Sequence, residues 1–187
     1  MAIDKITSAS ITTDAVGPTQ LNEASNYAFT GTVTGAGEKN SPCFMAVYIG
    51  SGVEISDATE TKVTFDTEII DVGAVYDTTN KRYTPGFVGK SYISTGMYFY
   101  DASKNIQHHV LYFYKNGSLL TYFKNEPSGE VKRVWQSASL IVDHNATDYY
   151  EVYVRADTSN GGNIEVPATS GGASSYRNYF QGFKILT

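Results

Sequence analysis

Residues 111–123 read LYFYKNGSLLTYF, two aromatic-rich runs around Asn116-Gly117. A two-residue type I′ turn needs positive φ at both central positions, and Asn-Gly tolerates that best, so the stretch predicts a β-hairpin. Along its first arm Val110, Tyr112 and Tyr114 share one parity while Leu111 and Phe113 share the other. Successive side chains of a strand point to opposite faces, so both faces are apolar. A sandwich of two sheets buries only the inner face of each, which should make apolar and polar residues alternate. The run 92–100 repeats the two-faced pattern, with Tyr92, Tyr98 and Tyr100 on one parity and Ile93, Met97 and Phe99 on the other. No helix pattern is visible to cover the second face, so the economical cover is another copy of the chain. The residues expected at the interface between copies are then Tyr92, Tyr98, Tyr100, Val110, Tyr112 and Tyr114. The competing reading is that tyrosine is amphipathic and tolerates a wet outer face.

Outward from the hairpin the same character continues. Fifteen Tyr and nine Phe, with abundant Thr, Val and Gly, favour strands. Strands are predicted over 43–49, 62–70, 83–84, 91–100, 107–115, 118–124, 131–142, 149–156 and 178–186. Between them lie turn signals such as Gly50-Ser51-Gly52, Asp77-Thr78-Thr79-Asn80, Pro127-Ser128-Gly129 and Ser159-Asn160-Gly161-Gly162. Short strands at this spacing predict an all-β sandwich or barrel.

Composition narrows the partners. The chain has 187 residues and a net charge of −5, from 14 basic against 19 acidic residues, and no cluster of Lys and Arg gives the electrostatic footprint of a nucleic-acid binder. Cys43 is the single cysteine, which excludes a disulfide framework within one chain. The opening MAIDKITSAS lacks the basic and apolar regions of a signal peptide, and no run approaches the ~18 apolar residues of a membrane-spanning helix. The expectation is a soluble product without membrane insertion. Residues 1–37 differ from the rest: few aromatics, much Thr, Ser, Ala and Gly, and aliphatics spaced at Ile3, Ile6, Ile11, Val16 and Leu21. They read either as an attachment tail, in which those aliphatics find a partner, or as a flexible linker. Residues 38–187 then form the head domain.

The head resembles a known superfamily. Thr64-Phe65-Asp66-Thr67-Glu68, the Tyr76-Asp77, Arg82-Tyr83-Thr84-Pro85-Gly86 and Gly89-Lys90-Ser91-Tyr92 stretch, Ala138-Ser139-Leu140, Tyr149-Tyr150-Glu151-Val152-Tyr153-Val154 and the final Tyr179-Phe180-Gln181-Gly182-Phe183-Lys184-Ile185 are similar to the globular head of the complement first-component q subunit, whose superfamily includes the tumour necrosis factors. The likeness spans about residues 42–187 and implies a ten-strand jelly-roll sandwich assembled as a homotrimer, with aromatic strands at the threefold axis. The chain departs from the family at Asp143–Asp148, where the turn before Tyr149 is longer. The calcium sites of some members find no matching ligand set here. Separately, the segment ITTDAVGPTQLNEASNYAFTGTVTGAG, beginning at Ile11, resembles the pre-head segments of tail and head fibres of marine bacteriophages, notably those infecting cyanobacteria.

Catalytic motifs are wanting. G-x-S-x-G, H-E-x-x-H and the P-loop are all absent. His108 and His109 are neighbours that a strand points to opposite faces, and His144 is the third histidine. Three copies of one histidine across a threefold axis would make a metal site, but ordinary strand histidines are the simpler reading, so neither a metal nor a cofactor is expected. Asp66 and Glu68 share a face yet read as surface acids. Trp135, Tyr149 and Tyr150 suit either packing or sugar stacking. The long segment Asp157–Ser175 is rich in Ser, Gly, Asn and Thr, and Asn160, Asn163, Tyr176 and Arg177 are the glycan-binding candidates. The function expected from all this is that of a non-enzymatic structural protein of a bacteriophage virion, assembled in the bacterial cytoplasm. It would be a trimeric tail fibre or spike, attached through residues 1–37 to tail, adaptor or capsid proteins and binding host-surface polysaccharide. The alternative is a capsid head fibre or decoration protein that stabilises the particle.

Overall fold

The computed structural model describes residues 41–48, 53–103, 105–168 and 177–185. The expected attachment residues Ile3, Ile6, Ile11, Val16 and Leu21, and the glycan candidate Tyr176, lie outside them. The described residues form thirteen strands and no helix. In chain order these are β1 (Cys43–Val47), β2 (Val53–Ile55), β3 (Thr61–Lys62), β4 (Thr67–Val72), β5 (Tyr76–Asp77), β6 (Arg82–Tyr83), β7 (Gly89–Tyr100), β8 (Ile106–Lys115), β9 (Ser118–Asn125), β10 (Arg133–His144), β11 (Tyr150–Thr158), β12 (Ile164–Val166) and β13 (Tyr179–Ile185). They make two antiparallel sheets. One has seven strands in the order β2-β12-β7-β13-β1-β4, with β10 along the other side of β7; the other has six, β5-β6-β11-β8-β9, with β3 beside β11.

The hairpin at Asn116-Gly117 forms with positive φ at both turn residues, 53° and 74°, and Lys115 faces Ser118 across it. A bulge between Phe113 and Tyr114 shifts the register, so that Thr121 and Leu119 stand opposite them. The expected strand 62–70 is instead two. Val63 N–H donates to Val152 O in the six-stranded sheet at 2.9 Å, and Asp66 N–H to Val47 O in the seven-stranded sheet at 3.0 Å, so the chain crosses between sheets there while Val63 and Phe65 fill the core. Part of the expected loop 157–175 is also strand: β12 pairs with β2 and buries Ile164 and Val166. The count exceeds the expected ten because five of the thirteen strands have only two or three residues.

Aromatic rings weld the layers together. Phe44 of β1 stacks on Tyr83 (4.6 Å between centroids) and Tyr76 (5.3 Å), and meets Phe180 of β13 edge-on at 4.9 Å. Phe113 of β8 reaches Phe180 at 6.4 Å. Each such ring, fully removed from water, contributes about 1.5–3 kcal/mol. Gly182 is small because it must be: a Cβ there would sit 2.7 Å from the Tyr92 backbone oxygen and 3.0 Å from the Phe44 ring.

Candidate functional site

Strand parity sorts the two-faced residues. On β7, Ile93, Met97 and Phe99 enter the core, so Tyr92, Tyr98 and Tyr100 emerge on the outer face of the seven-stranded sheet. On β8, Leu111 and Phe113 enter the core, so Val110, Tyr112 and Tyr114 emerge on the outer face of the six-stranded sheet. The six residues expected to share one interface therefore lie on opposite sides of the sandwich. Their strands belong to different sheets, a fact that parity within each strand does not reveal.

The register gathers a broad apolar patch on the seven-stranded face. Trp135 of β10 stands opposite Tyr98, and Ile141 opposite Tyr92; Phe183 of β13 also faces Tyr92 and stacks on it at 5.2 Å. Beyond β13, Met45 of β1 stands opposite Ile70 of β4. Trp135, Ile141, Phe183 and Ile70 are all exposed, Ile141 to 68%. Gly96 lies at the centre, where a Cβ would come within 2.4 Å of the Tyr179 ring and 3.1 Å of Trp135. The Arg177 guanidinium covers the Tyr98 ring at 5.2 Å, and its carbonyl accepts from Trp135 Nε1 at 3.2 Å. Beneath, the buried Asn178 side chain accepts from Tyr98 N–H at 2.7 Å and donates to Pro167 O at 2.6 Å.

On the six-stranded face the register makes two adjacent rows. Tyr122 (β9), Tyr112 (β8) and Tyr153 (β11) face one another across three strands, and two residues further on Lys124, Val110 and Arg155 do the same. Tyr112 and Tyr122 approach at 6.0 Å, Tyr114 and Tyr153 at 4.3 Å. Tyr112 is buried beneath its neighbours, whereas Tyr122 is 58% exposed. The Tyr114 hydroxyl donates to Glu60, and the carboxylate beside it pushes the phenol up to about 12. Lys62 pairs with Glu151. Asp157 joins His108 Nε2 (2.9 Å) and Arg155 Nη2 (3.0 Å).

The glycan candidates are not one cluster. Arg177 lies on the seven-stranded face, while Asn160 and Asn163 belong to the exposed connection between β11 and β12, where Asn160 Oδ1 accepts from Gly162 N–H at 3.0 Å. A serine–histidine contact that no spacing announced does exist. Ser91 Oγ is 2.9 Å from His144 Nε2 and 2.8 Å from the Tyr83 hydroxyl, with His144 Nδ1 3.1 Å from Phe87 O. Ser91 is wholly buried, so the chain of bonds satisfies polar groups inside the core and offers no nucleophile to a substrate. Burial also lowers the His144 pKa and raises that of Tyr83 to about 12. Among the described residues no group of three His, Cys, Asp or Glu side chains converges as metal ligands would, and no helix is long and apolar enough to cross a membrane.

No protein-family model and no curated protein matches the sequence. Solved structures do match the fold. The globular domain of the zebrafish complement 1qA protein superposes with a TM-score of 0.52 at 14% identity, over 78% of this chain and 98% of that one. The Eiger tumour necrosis factor of S. frugiperda superposes with a TM-score of 0.54 at 12% identity, over 79% and 94%. The chain thus has the two-sheet jelly-roll fold of the complement-q and tumour-necrosis-factor-like proteins.

Proposed function

We propose that this chain forms a homotrimeric, non-enzymatic binding head on a bacteriophage fibre, held to the particle by residues 1–37 and binding host-surface glycan. The observation behind it is the seven-stranded outer face, where Trp135, Ile141, Phe183 and Ile70 stand exposed together. Exposed large apolar side chains concentrated on one sheet face mark an association surface. Closed threefold assembly joins two different patches of each copy, inclined to one another; opposed patches would stack into an open filament. The opposite sheet faces are therefore unsuited to pair with each other. The second patch is instead the flank of the sandwich where β9 and β10 run as neighbouring edges, a groove of about 340 Å³ lined by Lys115, Leu120, Leu140, Ile141, Asp143 and Tyr150 among others. Tyr92, Tyr98 and Tyr100 stay in this interface, and Val110, Tyr112 and Tyr114 are left on the free face.

Three weak glycan sites on each trimer, and several trimers on each particle, raise effective affinity by about 10²–10⁴ without a tight single contact. The virion assignment rests on the resemblance of the segment beginning at Ile11 to fibre pre-head segments. Light scattering of the purified full chain tests the assembly: a trimer is expected, and a stable monomer overturns it. Antibody labelling of intact particles tests the location, with label expected on tail fibres; label over the capsid would establish the decoration role instead.

A further inference from the structure

We propose that the six-stranded outer face holds a binding site for a sugar residue bearing a carboxylate, a proposal that rests on the glycan-binding reading and names its site and ligand class. A cavity of about 250 Å³ opens there, lined by His108, Val110, Tyr112, Leu119, Tyr122, Lys124 and Arg155. It is smaller than the roughly 300–1,000 Å³ of sites for drug-sized ligands, which suits a single ring. Its lining contains three nitrogen-bearing side chains and no carboxylate. The floor is Val110, with Lys124 opposite it on one side and Arg155 on the other. Neighbouring strands lie about 4.8 Å apart, so the backbone positions that carry the two cations are roughly 10 Å apart.

The side chains divide the ligand between them. Arg155, whose side chain is partly exposed and bonds Asp157 through Nη2, offers the remaining edge of its planar guanidinium to a carboxylate. Asp157, which is not part of the lining, bonds both Arg155 Nη2 and His108 Nε2 and so acts as a positioning residue for the cationic end. Lys124 pairs with Glu126 two residues along an exposed strand end, a contact weak enough to exchange for a ligand anion. The exposed ring of Tyr122 and the side chain of Leu119 supply the apolar wall on which the C–H face of a pyranose rests. An uncharged sugar would gain nothing from the charges of Lys124 and Arg155, and a bare anion would leave the aromatic row unused.

Calorimetric titration of the full chain with trigalacturonate, maltotriose and inorganic phosphate tests this. Trigalacturonate is expected to bind, more weakly as salt rises, with the other two failing to saturate. Lys124→Glu and Tyr122→Ala, both at exposed positions, should each weaken binding about tenfold or more while the protein elutes like the parent. Equal binding of trigalacturonate by parent and variants would overturn the site. Binding of maltotriose but not trigalacturonate would overturn the carboxylate and leave the glycan-binding reading standing. Saturation by phosphate alone would show an anion site without sugar recognition and overturn the proposal. Failure of all probes, together with failure of the labelled protein to stain host cells, would remove the glycan-binding reading itself.

Discussion

Tyr98 and Tyr112 point in opposite directions, Tyr98 out of the seven-stranded sheet and Tyr112 out of the six-stranded sheet, with Phe99 and Phe113 filling the core between their strands. A charge introduced beside each should therefore have different consequences. Ile141→Asp, next to Tyr92 on the proposed seam, would bury an uncompensated charge at a cost of about 3–5 kcal/mol per copy. It should yield monomers in light scattering. Tyr122→Asp, opposite Tyr112, should leave the proposed trimer intact. The reverse outcome would place the seam on the six-stranded face.

Two glycines should rank predictably. At Gly182 an added methyl meets the Tyr92 backbone oxygen at 2.7 Å, whereas at Gly96 it meets the far edge of the Tyr179 ring at 2.4 Å. A ring can swing aside more cheaply than a paired backbone. Gly182→Ala should therefore lower the urea-unfolding free energy by about 1–3 kcal/mol, the usual cost of overpacking, and Gly96→Ala by less. Equal losses would show that Tyr179 is as immobile as the strand beside it.

His109 should make the fold acid-sensitive. Its ring is fully buried against Phe99, with neither nitrogen hydrogen-bonded, and Ala156 and Asn125 are its neighbours across β11 and β9. Burial lowers its pKa to about 4, and His108 alongside adds like-charge repulsion. The unfolded chain therefore takes up the proton first. Stability is complete above the ordinary value of 6.5 and declines as pH falls towards 4, by about 3 kcal/mol in all. His109→Leu should flatten the fall in urea midpoint across that window, leaving the smaller contribution of His144, whose pKa is lowered in the same sense. An unchanged slope would mean that His109 is protonated at little cost.

Features set by local geometry were legible in the sequence. Asn116-Gly117 gave its turn because two positive φ values leave few alternatives, and the parities of Ile93, Met97 and Phe99 and of Leu111 and Phe113 identified core faces because strand side chains alternate. What depends on register between distant strands was not. Lys124 and Arg155 flank one cavity only because both stand opposite Val110, and Ser91 meets His144 only because β7 pairs with β10 along its whole length. The strands β2 and β12, three residues each, were too short to carry a pattern, and they are held by the partner strands they pair with rather than by propensity of their own.

The hairpin turn offers a test of how such distant pieces support one another. Asp148 accepts from Asn116 Nδ2 at 2.8 Å, from Lys115 Nζ at 2.9 Å and from the Asn145 N–H at 2.9 Å, while Asn116 Oδ1 accepts from Tyr149 N–H at 2.9 Å. The bonds from Asn116 and Lys115 hold the Asp148 carboxyl well below the usual carboxylate range. A depressed folded-state pKa contributes stability above the ordinary value of 3.8 that disappears as pH falls below it. Asp148→Asn should lower the urea midpoint at neutral pH and flatten the acid limb below that value. Asn116→Gly keeps a residue that tolerates positive φ but removes the side-chain bonds, so it should also destabilise. Because Asn116→Gly removes the bond to residue 148 and Asp148→Asn removes the charge that strengthens that same bond, the double variant should lose less than the sum of the single losses. Strict additivity in that cycle would show that the turn and the segment before β11 are stabilised independently.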